Sequence, residues 1–405
     1  KKKVDVMVIK KTSKLLTNLS IWTGEELGHS TQHDAIRILD DGTLSLTQSE
    51  DVHASDQVKD CHGLVAIPGL IDAHVHLGLD PSVTDPFAHG RVPKDQQLEA
   101  MRQRTRDMLQ AGVTTARDLG GGAWLELKVR DEIASGQHLG TRLLCAGQPL
   151  TSPGGHCHFW GGEAGTLEEA IAVLDRQHAK GVDLIKIMAT GGSITPNSRP
   201  GDAQFDQRIM NHVVNHARDL GYEIAAHCHG VDGIGHAASA GVTTIEHCSW
   251  VGPNGWGKHY DPAIAQTIAR KGIWVSPTVN LNWKRHLSNP PGLEAIQSRF
   301  RKMKSAGCKL IASTDAGIPN VFHADFAKTL PIFSAIAELT PVETLMAATV
   351  HAAEALGVSE RVGRLSNGLI ADLVLVEQDP LLSLDGLASP IEVFQRGRPA
   401  IGVLA

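Results

Sequence analysis

Short apolar, β-branched runs alternate with helix-like stretches between about residues 66 and 360, and this alternation constrains the fold most strongly. Three of the intervening stretches, 95–112, 166–181 and 206–221, carry apolar residues at helical spacing and end in glycine. The predicted strands are 64–76, 113–118, 141–147, 183–189, 223–228, 243–248, 272–278 and 309–315. Eight strands that alternate with helices predict an α/β fold, a closed parallel (β/α)8 TIM barrel.

An open, doubly wound sheet is the alternative to a barrel, and it would place a glycine-rich phosphate-binding turn after an early strand. Residues 119–124, LGGGAW, come closest to such a turn, but they lack the G-x-G-x-x-G spacing. The barrel is therefore the favoured prediction.

The two ends of the chain show a different pattern from the middle. Residues 14–63 and 361–405 contain short alternating runs that favour antiparallel strands. Because chain termini commonly lie close together, we predict one small β-sandwich domain built from residues 1–63 and 361–405, beside a barrel of residues 64–360. The basic opening segment, residues 1–14, receives no predicted function.

Composition narrows the class of protein. A hydrophobic content of 42% and a formal net charge of −6 indicate a globular chain and argue against a nucleic-acid partner, which requires a clustered basic surface. No run approaches the roughly 18 uncharged apolar residues of a membrane span, so no membrane partner is expected. Six cysteines without a C-x-x-C pair indicate reduced thiols and a cytoplasmic location, although the sequence begins with Lys and a removed signal peptide is an alternative.

Histidine is unusually frequent, with 21 residues against 2 tyrosines, and it is the commonest protein ligand of metal ions. Functional residues of a barrel lie at the carboxyl ends of its strands. His74 and His76 close the first predicted strand and share a face, because side chains alternate along a strand. Other predicted strands carry Lys186, His227, His247 and Asp315.

Each of these residues taken alone is more often a satisfied core or surface residue. Lys186, for example, interrupts an apolar run, and its stem could extend to an exterior carboxylate, whereas an unpaired buried ammonium would be costly. Five strands that all carry metal-ligating or ionisable residues nevertheless predict a single metal-dependent site.

The segments PGLIDAHVHLG (68–78), KIMATGG (186–192), AAHCHG (225–230), IEHCSW (245–250), STDAG (313–317) and GRLSNGLIADLVLVEQDPL (363–381) together resemble the amidohydrolase superfamily. The similarity is greatest to a binuclear branch that contains metal-dependent Xaa-Pro and Xaa-Arg dipeptidases or carboxypeptidases, ochratoxin-hydrolysing amidohydrolases, and hydrolases of pesticide carbamates and ureas. It spans roughly residues 64 to 381.

The resemblance implies two divalent metal ions, with zinc as the default and manganese, cobalt or iron as alternatives. His74, His76 and Asp315 would hold one ion and His227 and His247 the other. Lys186, carboxylated by carbon dioxide, would bridge both ions. The lack of an H-x-x-E motif after the fifth strand separates the chain from the mononuclear deaminases of the superfamily. A hydroxide shared by the ions would attack the amide carbon, and Asp315 would pass a proton to the leaving nitrogen.

Further residues around this set are candidates for substrate contact or support. In the loop after the third strand, His156 or His158 could bond the carbonyl oxygen as it becomes an anion, and we favour His156. Asp118 could orient ligands, with a purely structural role as the alternative. A cation that pairs with a substrate carboxylate could be Arg199, Lys284 or Arg285. The predicted substrate contacts are His156, His158, Trp160, His229, Trp250, Trp283 and His323.

We therefore predict a homo-oligomeric, metal-dependent hydrolase that cleaves the amide C–N bond of a small molecule, a dipeptide or N-acyl amino acid with an apolar or aromatic part. An aryl carbamate, urea or amide xenobiotic is the first alternative, favoured if the cavity lacks a cation. An inactive metal-bearing scaffold is the second. Strand alternation turns Cys228 and Cys248 away from their histidine neighbours, and no G-x-S-x-G motif is present, so thiol and serine nucleophiles have no support.

Overall fold

A computed structural model of the chain describes residues 13–26 and 28–400, so most of the basic opening segment lies outside it. Its strands are β1 (Ser13–Thr17), β2 (Ser20–Ile21), β3 (Ala35–Ile38), β4 (Leu44–Thr47), β5 (Asp56–Asp60), β6 (Val65–Pro68), β7 (Leu70–Val75), β8 (Val113–Asp118), β9 (Arg142–Cys145), β10 (Ile185–Met188), β11 (Ile224–Gly230), β12 (Thr244–Val251), β13 (Trp274–Ser276), β14 (Lys309–Leu310), β15 (Leu373–Val376), β16 (Glu392–Gln395) and β17 (Arg398–Pro399). The α-helices are α1 (Lys94–Gln110), α2 (Leu125–Ala134), α3 (Leu167–Lys180), α4 (Gln207–Asp219), α5 (Val231–Ala240), α6 (Pro262–Arg270), α7 (Lys284–Leu287), α8 (Pro290–Ser305), α9 (Phe326–Ala337), α10 (Pro341–Ala347) and α11 (Val350–Ala355).

Strands β7 to β14 form the predicted barrel. They lie in two parallel sheets, β7-β8-β9 and β10-β11-β12-β13-β14. Isolated parallel bridges, Leu150 to Ile187 and Val75 to Ala316, join the sheets at both seams. Backbone bonds from Leu150 N to Lys186 O (2.9 Å) and from His76 N to Ala316 O (2.7 Å) reinforce these joins. The eight strands thus close on themselves, and the predicted (β/α)8 barrel is confirmed.

The helices that separate the strands follow from local sequence. Helix α3 begins with a capping box, in which Thr166 accepts a bond from the Glu169 amide and Glu169 accepts one from the Thr166 amide. Its core-facing residues recur every three or four positions from Ala170 to Gln177. Helix α4 likewise begins after a capping Asp206 and buries the face from Met210 to Ala217. Both helices match the predicted stretches 166–181 and 206–221 within two residues.

The first predicted strand, 64–76, is two strands that belong to different sheets. Strand β6 pairs with β2 and β15 outside the barrel, whereas β7 begins the barrel itself. The change occurs at Pro68 and Gly69. A Cβ at Gly69 would lie 2.1 Å from Oγ1 of Thr114, so only glycine lets the chain cross this closely to β8. The sequence does not show where β6 ends and β7 begins, because both strands are buried and apolar.

The strands from the two chain ends build a small β-domain of two sheets, ordered β4-β3-β1-β5 and β17-β16-β15-β6-β2. The second sheet combines both ends of the chain, because β15 pairs antiparallel with β6. Apolar residues from the two sheets share one core that includes Leu16, Ile36, Leu373 and Phe394. The predicted second domain of the fold class is confirmed, and its residue boundaries stay a prediction.

Arg142 of β9 and Asp372, just before β15, form a buried ion pair between the barrel and the small domain. The other Asp372 oxygen accepts a bond from the Arg396 amide (2.8 Å). Nearby, the Gln395 side chain donates to the Thr114 carbonyl oxygen (2.9 Å). The two domains are therefore joined by buried polar contacts as well as by the chain.

Within residues 13–26 and 28–400, no single helix is long and apolar enough to cross a membrane. Two helical segments, His323–Ala337 and Pro341–Ala355, meet that criterion only when taken together, and they are bent by 120° relative to one another.

Candidate functional site

The first group of predicted ligands comes together at the carboxyl end of the barrel. Nε2 of His74 lies 3.2 Å from Oδ1 of Asp315, and Nε2 of His76 lies 3.3 Å from the same oxygen. The two Nε2 atoms are 3.3 Å apart. Three potential ligand atoms, from His74 of β7, from His76 just after it and from Asp315 after β14, thus face one point.

The opposite ring nitrogens of these histidines are held by oxygen acceptors. Nδ1 of His74 bonds Oε2 of Glu246 (2.8 Å), and Nδ1 of His76 donates to the Gly120 carbonyl (3.0 Å). Since a carbonyl or an ionised carboxylate only accepts, Nδ1 carries the proton in the neutral form of each ring, and the lone pair of that form is on Nε2. Both rings are oriented as metal-ligating imidazoles usually are.

A second group lies beside the first and contains His227, His229 and His247, whose nearest ring nitrogens are all within 4.8 Å of one another. Nδ1 of His227 lies 2.9 Å from Nε2 of His247. Nε2 of His227 donates to the Gly191 carbonyl (3.0 Å), and Nδ1 of His247 bonds the Thr278 hydroxyl (2.8 Å). Burial holds the pKa of His227 and His247 well below the usual range, so both rings are neutral at pH 7. Each neutral ring can therefore offer a nitrogen lone pair to a metal ion.

The two groups fit a pair of divalent ions. The first offers two imidazoles and a carboxylate and the second three imidazoles, and the three donor atoms of each group lie within 4.8 Å of one another. For the four predicted histidine ligands, the nitrogen that does not face the cluster is already hydrogen-bonded. The donors are thus oriented for ligation by the protein itself.

Lys186 of β10 is 1% exposed and lines the same cavity. Within the described chain no carboxylate oxygen lies within 4.0 Å of its amine, so it forms no ion pair. Burial lowers the pKa of this amine, although the carboxylates of Glu246 and Asp315 oppose the shift. A buried lysine without an ion-pair partner is the situation that carboxylation would relieve.

His156 faces the cavity from the loop after β9. Its ring centre lies 4.5 Å from that of His227, and its Nδ1 is 3.1 Å from the hydroxyl of Thr195. The same hydroxyl accepts a bond from the Cys157 amide, so its own proton can go to Nδ1 of His156. Burial lowers the pKa of His156 to about 3, and the neutral ring then presents Nε2–H to the cavity. A Cβ at Gly192 would lie 2.3 Å from this ring, so the glycine makes room for it.

The cavity has a volume of about 710 Å³ and combines the two ligand groups with an apolar and aromatic wall. Among the predicted substrate contacts, His156, His229 and Trp283 line it. Trp256 also lines it and lies against His229, with ring centres 4.9 Å apart. Of the cations considered from sequence, Arg285 lines the cavity, whereas Arg199 is exposed and paired with Asp202.

Four predicted substrate contacts lie outside the cavity wall. Trp250 is fully buried, and its indole bonds the Met303 sulfur (3.4 Å). His323 is 4% exposed and bonds the His76 carbonyl (3.1 Å), which places it beneath the site rather than at its mouth. Trp160 is buried, with its ring centre 5.3 Å from that of His76, and His158 contacts Phe87 and Phe159. Trp250, His323 and Trp160 are therefore buried next to the site, whereas His158 is half-buried beside the exposed Phe87.

Strand alternation does not hold at the end of β12. The backbone is left-handed at His247 (φ 65°), Cys248 (φ 51°) and Trp250 (φ 52°). Glu246 and His247 consequently both turn inward, and Cys248, which alternation placed away from the site, contributes to the cavity wall. Burial raises the pKa of Cys228 and Cys248 well above the usual range, so neither is a thiolate at pH 7.

Several polar groups of the site were not predicted from the sequence, among them Glu246 and Arg299. Glu246 is fully buried between His74 and Arg117, and Arg299 lies in the cavity wall. The sequence could have indicated Glu246, because an acidic residue inside an apolar strand needs a partner. It could not have singled out Arg299, because that residue belongs to a helix with many charged residues.

A model of the amidohydrolase family matches residues 65–403. The chain belongs to the amidohydrolase family. The resemblance inferred from its motifs is thereby confirmed, as is the prediction of a hydrolase that acts on C–N bonds. Because the residues that match the family model span the barrel and β15 to β17, every ligand candidate of both groups lies within the match.

Named relatives of this amidohydrolase differ in their reactions. It is 26% identical over 367 residues to ochratoxinase from Aspergillus niger, which covers 82% of this chain and 72% of the relative. It is 25% identical to imidazolonepropionase from Chloroflexus aggregans, with 84% of each chain covered. The crystal structure of a Xaa-Pro dipeptidase with bound methionine has the same fold, with a TM-score of 0.81, 23% identity, and coverage of 96% of this chain and 99% of that one.

Proposed function

We propose that this amidohydrolase uses two divalent metal ions to hydrolyse the amide C–N bond of a dipeptide or N-acyl amino acid with an apolar or aromatic part. The observation that carries the proposal is the pair of donor groups, in which hydrogen bonds already hold the far nitrogens of His74, His76, His227 and His247. The aromatic wall formed by Trp256 and Trp283 suits the apolar part of the substrate.

The residues fit distinct roles around the ions. His74, His76 and Asp315 would hold one ion, His227 and His247 the second, and a carbamate on Lys186 would bridge them. Zinc is the first choice for such ligands, with manganese, cobalt and iron as alternatives. The ions would supply an activated water near neutral pH and polarise the substrate carbonyl.

Side chains of the protein transfer the proton and stabilise the negative charge that develops on the substrate. Asp315 accepts the proton of the attacking water at a carboxylate oxygen and delivers it to the leaving nitrogen, because an amine is a far better leaving group than an amide anion. His156 donates Nε2–H to the carbonyl oxygen as negative charge develops there. The Thr195 hydroxyl keeps His156 in the tautomer that can donate.

A neutral aryl carbamate, urea or amide is the second candidate substrate. The same aromatic wall would accept it, and the amide chemistry would be unchanged. An inactive metal-bearing scaffold is distinguished from both candidates only by a test of turnover.

The test combines metal analysis with a substrate screen of dipeptides, N-acyl amino acids, and then aryl carbamates and ureas. We expect close to two ions per chain after growth with zinc or manganese, and D315N should keep metal but lose hydrolysis by at least about 1000-fold. K186A should lose ions, and added formate or acetate should restore them in part. D202N, which changes an exposed carboxylate, is the matched control.

Less than one ion per chain would contradict the binuclear centre. Hydrolysis that survives D315N would contradict the proton transfer, and metal binding without hydrolysis of any screened compound would favour the scaffold.

A further inference from the structure

Arg299 extends from α8 into the cavity wall, where its guanidinium has no carboxylate partner among the described residues. Its closest polar contact is a long bond from Nη1 to the Gly257 carbonyl (3.5 Å). Among the residues that the structure describes, no carboxylate oxygen lies within 4.0 Å of the guanidinium. Burial lowers its pKa, which reflects the loss of water around the group. An anion that enters the cavity would therefore interact favourably with this unpaired cation.

The position of the guanidinium is set by its surroundings. A Cβ at Gly257 would lie 1.7 Å from Nη1, so the head group occupies the space that the glycine leaves. Ile296, Phe300 and Met303 of the same helix are buried and line the cavity beside it. The charge is therefore fixed at the edge of an apolar wall.

The other charged groups of the cavity do not neutralise Arg299. Asp315 is the only carboxylate among the described residues that line the cavity, and it already contacts His74 and His76. Arg285 adds a second positive charge to the wall, but its side chain is largely exposed to solvent. Arg285 and Arg299 thus give their part of the cavity wall a net positive charge.

We propose that Arg299 binds the free α-carboxylate of the substrate, so that the enzyme selects amides of amino acids over neutral amides, carbamates and ureas. This inference rests on the proposed amide hydrolysis. A guanidinium suits the role because its planar N–H groups can bond both oxygens of a carboxylate, and they do so most strongly away from water. The apolar residues of α8 next to it would contact the amino-acid side chain.

The experiment compares N-benzoyl-phenylalanine with its methyl ester, and it follows the release of benzoate. The parent enzyme should prefer the acid in kcat/KM by about 100-fold, and R299Q should lose most of this preference through a higher KM for the acid, with the ester rate little changed. R299K keeps the charge without the planar fork and should fall between the two. R285Q is the comparator, and its smaller effect should reflect the exposure of Arg285.

Calorimetric binding of phenylalanine, the product, separates the two proposals. If the parent hydrolyses neither compound nor any compound of the substrate screen, the proposed function fails, and tighter phenylalanine binding by the parent than by R299Q would still support the carboxylate site. Equal binding by parent and R299Q, equal rates on acid and ester, or a larger loss in R285Q than in R299Q would each overturn it. Thermal melting of every variant shows that it is folded, and R299K keeps the comparison open if R299Q is not.

Discussion

Glu246 connects the metal-ligand candidates to the interior of the barrel. Its Oε2 bonds Nδ1 of His74 (2.8 Å), and its Oε1 accepts a bond from the guanidinium of Arg117 (2.7 Å). Arg117 also donates to the Ala73 carbonyl (2.7 Å), one residue before His74. Burial opposes ionisation of Glu246, but Arg117 and His74 hold its pKa well below the usual range. The carboxylate therefore fixes both the orientation and the tautomer of His74.

E246Q should weaken metal binding and stability together. The amide removes the charge that Arg117 needs, which typically costs about 3–5 kcal/mol for a buried pair. It also loosens His74, and loss of such a support typically lowers metal affinity by about 10- to 100-fold. Titration with a chelator and thermal melting measure the two effects. T244V, which removes only the hydroxyl that bonds Glu246 and Arg117, is the control with a smaller expected loss.

Glu126 predicts a pH dependence of stability. Burial, with a smaller contribution from Asp118, raises the pKa of this carboxyl from 4.5 to about 8. The folded chain therefore keeps a proton that the unfolded chain releases between pH 4.5 and 8, so this residue makes stability fall as the pH rises through that window.

E126Q imitates the protonated carboxyl and removes this dependence. Its thermal stability relative to the parent should improve from pH 5 to pH 8, by at most about 1.4 kcal/mol per pH unit, and then level off. Titrations of groups that do not interact with Glu126 cancel in the comparison, whereas E126Q also removes the repulsion between Glu126 and Asp118. A stability difference that stays constant between pH 5 and pH 9 would show that Glu126 is already ionised in the folded protein.

The ligand candidates could be predicted from sequence because each lies in, or shortly after, one of the eight strands that alternate with helices. The residues that hold these candidates in place could not be predicted from the sequence. Arg117 and Glu246 are separated by 129 positions, and only barrel closure brings them together. The distinction between cavity wall and packing behind it, as for Trp283 and Trp250, also depends on backbone geometry that the sequence does not display.

The strand ends that carry ligand candidates have unusual backbone conformations. His247 and Asp315 both have positive φ (65° and 64°), as does Thr278 (53°), whose hydroxyl bonds His247. Such conformations cost about 1–3 kcal/mol each, and tight packing around the barrel mouth must hold them. The positive φ angles in β12 explain why strict alternation placed Cys248 on the wrong side of the strand.

The loop after β10 should be sensitive to one added methyl group. In G192A the new Cβ would meet the His156 ring at 2.3–2.5 Å, so the ring must move away from the cavity. If His156 stabilises the developing oxyanion, kcat should fall by about 100-fold while metal content is unchanged. G90A adds a methyl group with no neighbour within 4 Å and is the matched control. An unaltered kcat in G192A would remove His156 from the mechanism.

The barrel elements were largely predictable, and the departures have local causes. Helices with clear caps and periodic apolar faces, such as α3 and α4, appear where expected. The strand 64–76 was predicted as one element because its division depends on the close approach of Gly69 to Thr114, a contact between segments 45 positions apart in the chain. The two-residue strand β14 (Lys309–Leu310), in which only Leu310 is buried, could be located only from its place in the alternation.

At the scale of the whole molecule, the pair of Arg142 and Asp372 should contribute to the union of the two domains. D372A would leave a buried guanidinium without its partner, which typically costs about 3–5 kcal/mol. We expect a clear decrease in melting temperature with kcat/KM near that of the parent at low temperature. E294A, which breaks an exposed ion pair with Arg301, should cost less than about 1 kcal/mol. Similar losses in both variants would show that the domain contact does not depend on this pair.

The pairing of β6 with β15 has a consequence for synthesis on the ribosome. Residues 65–68 leave the exit tunnel before any barrel strand, but their partner, residues 373–376, is made only after the barrel is complete. The edge of β6 that pairs with β15 therefore stays unpaired until the end of translation. Unpaired strand edges are the surfaces through which nascent chains aggregate. Chains that stall or are truncated after the barrel would carry an intact ligand set and an uncovered edge, so their yield in cells would be limited by aggregation rather than by chemistry.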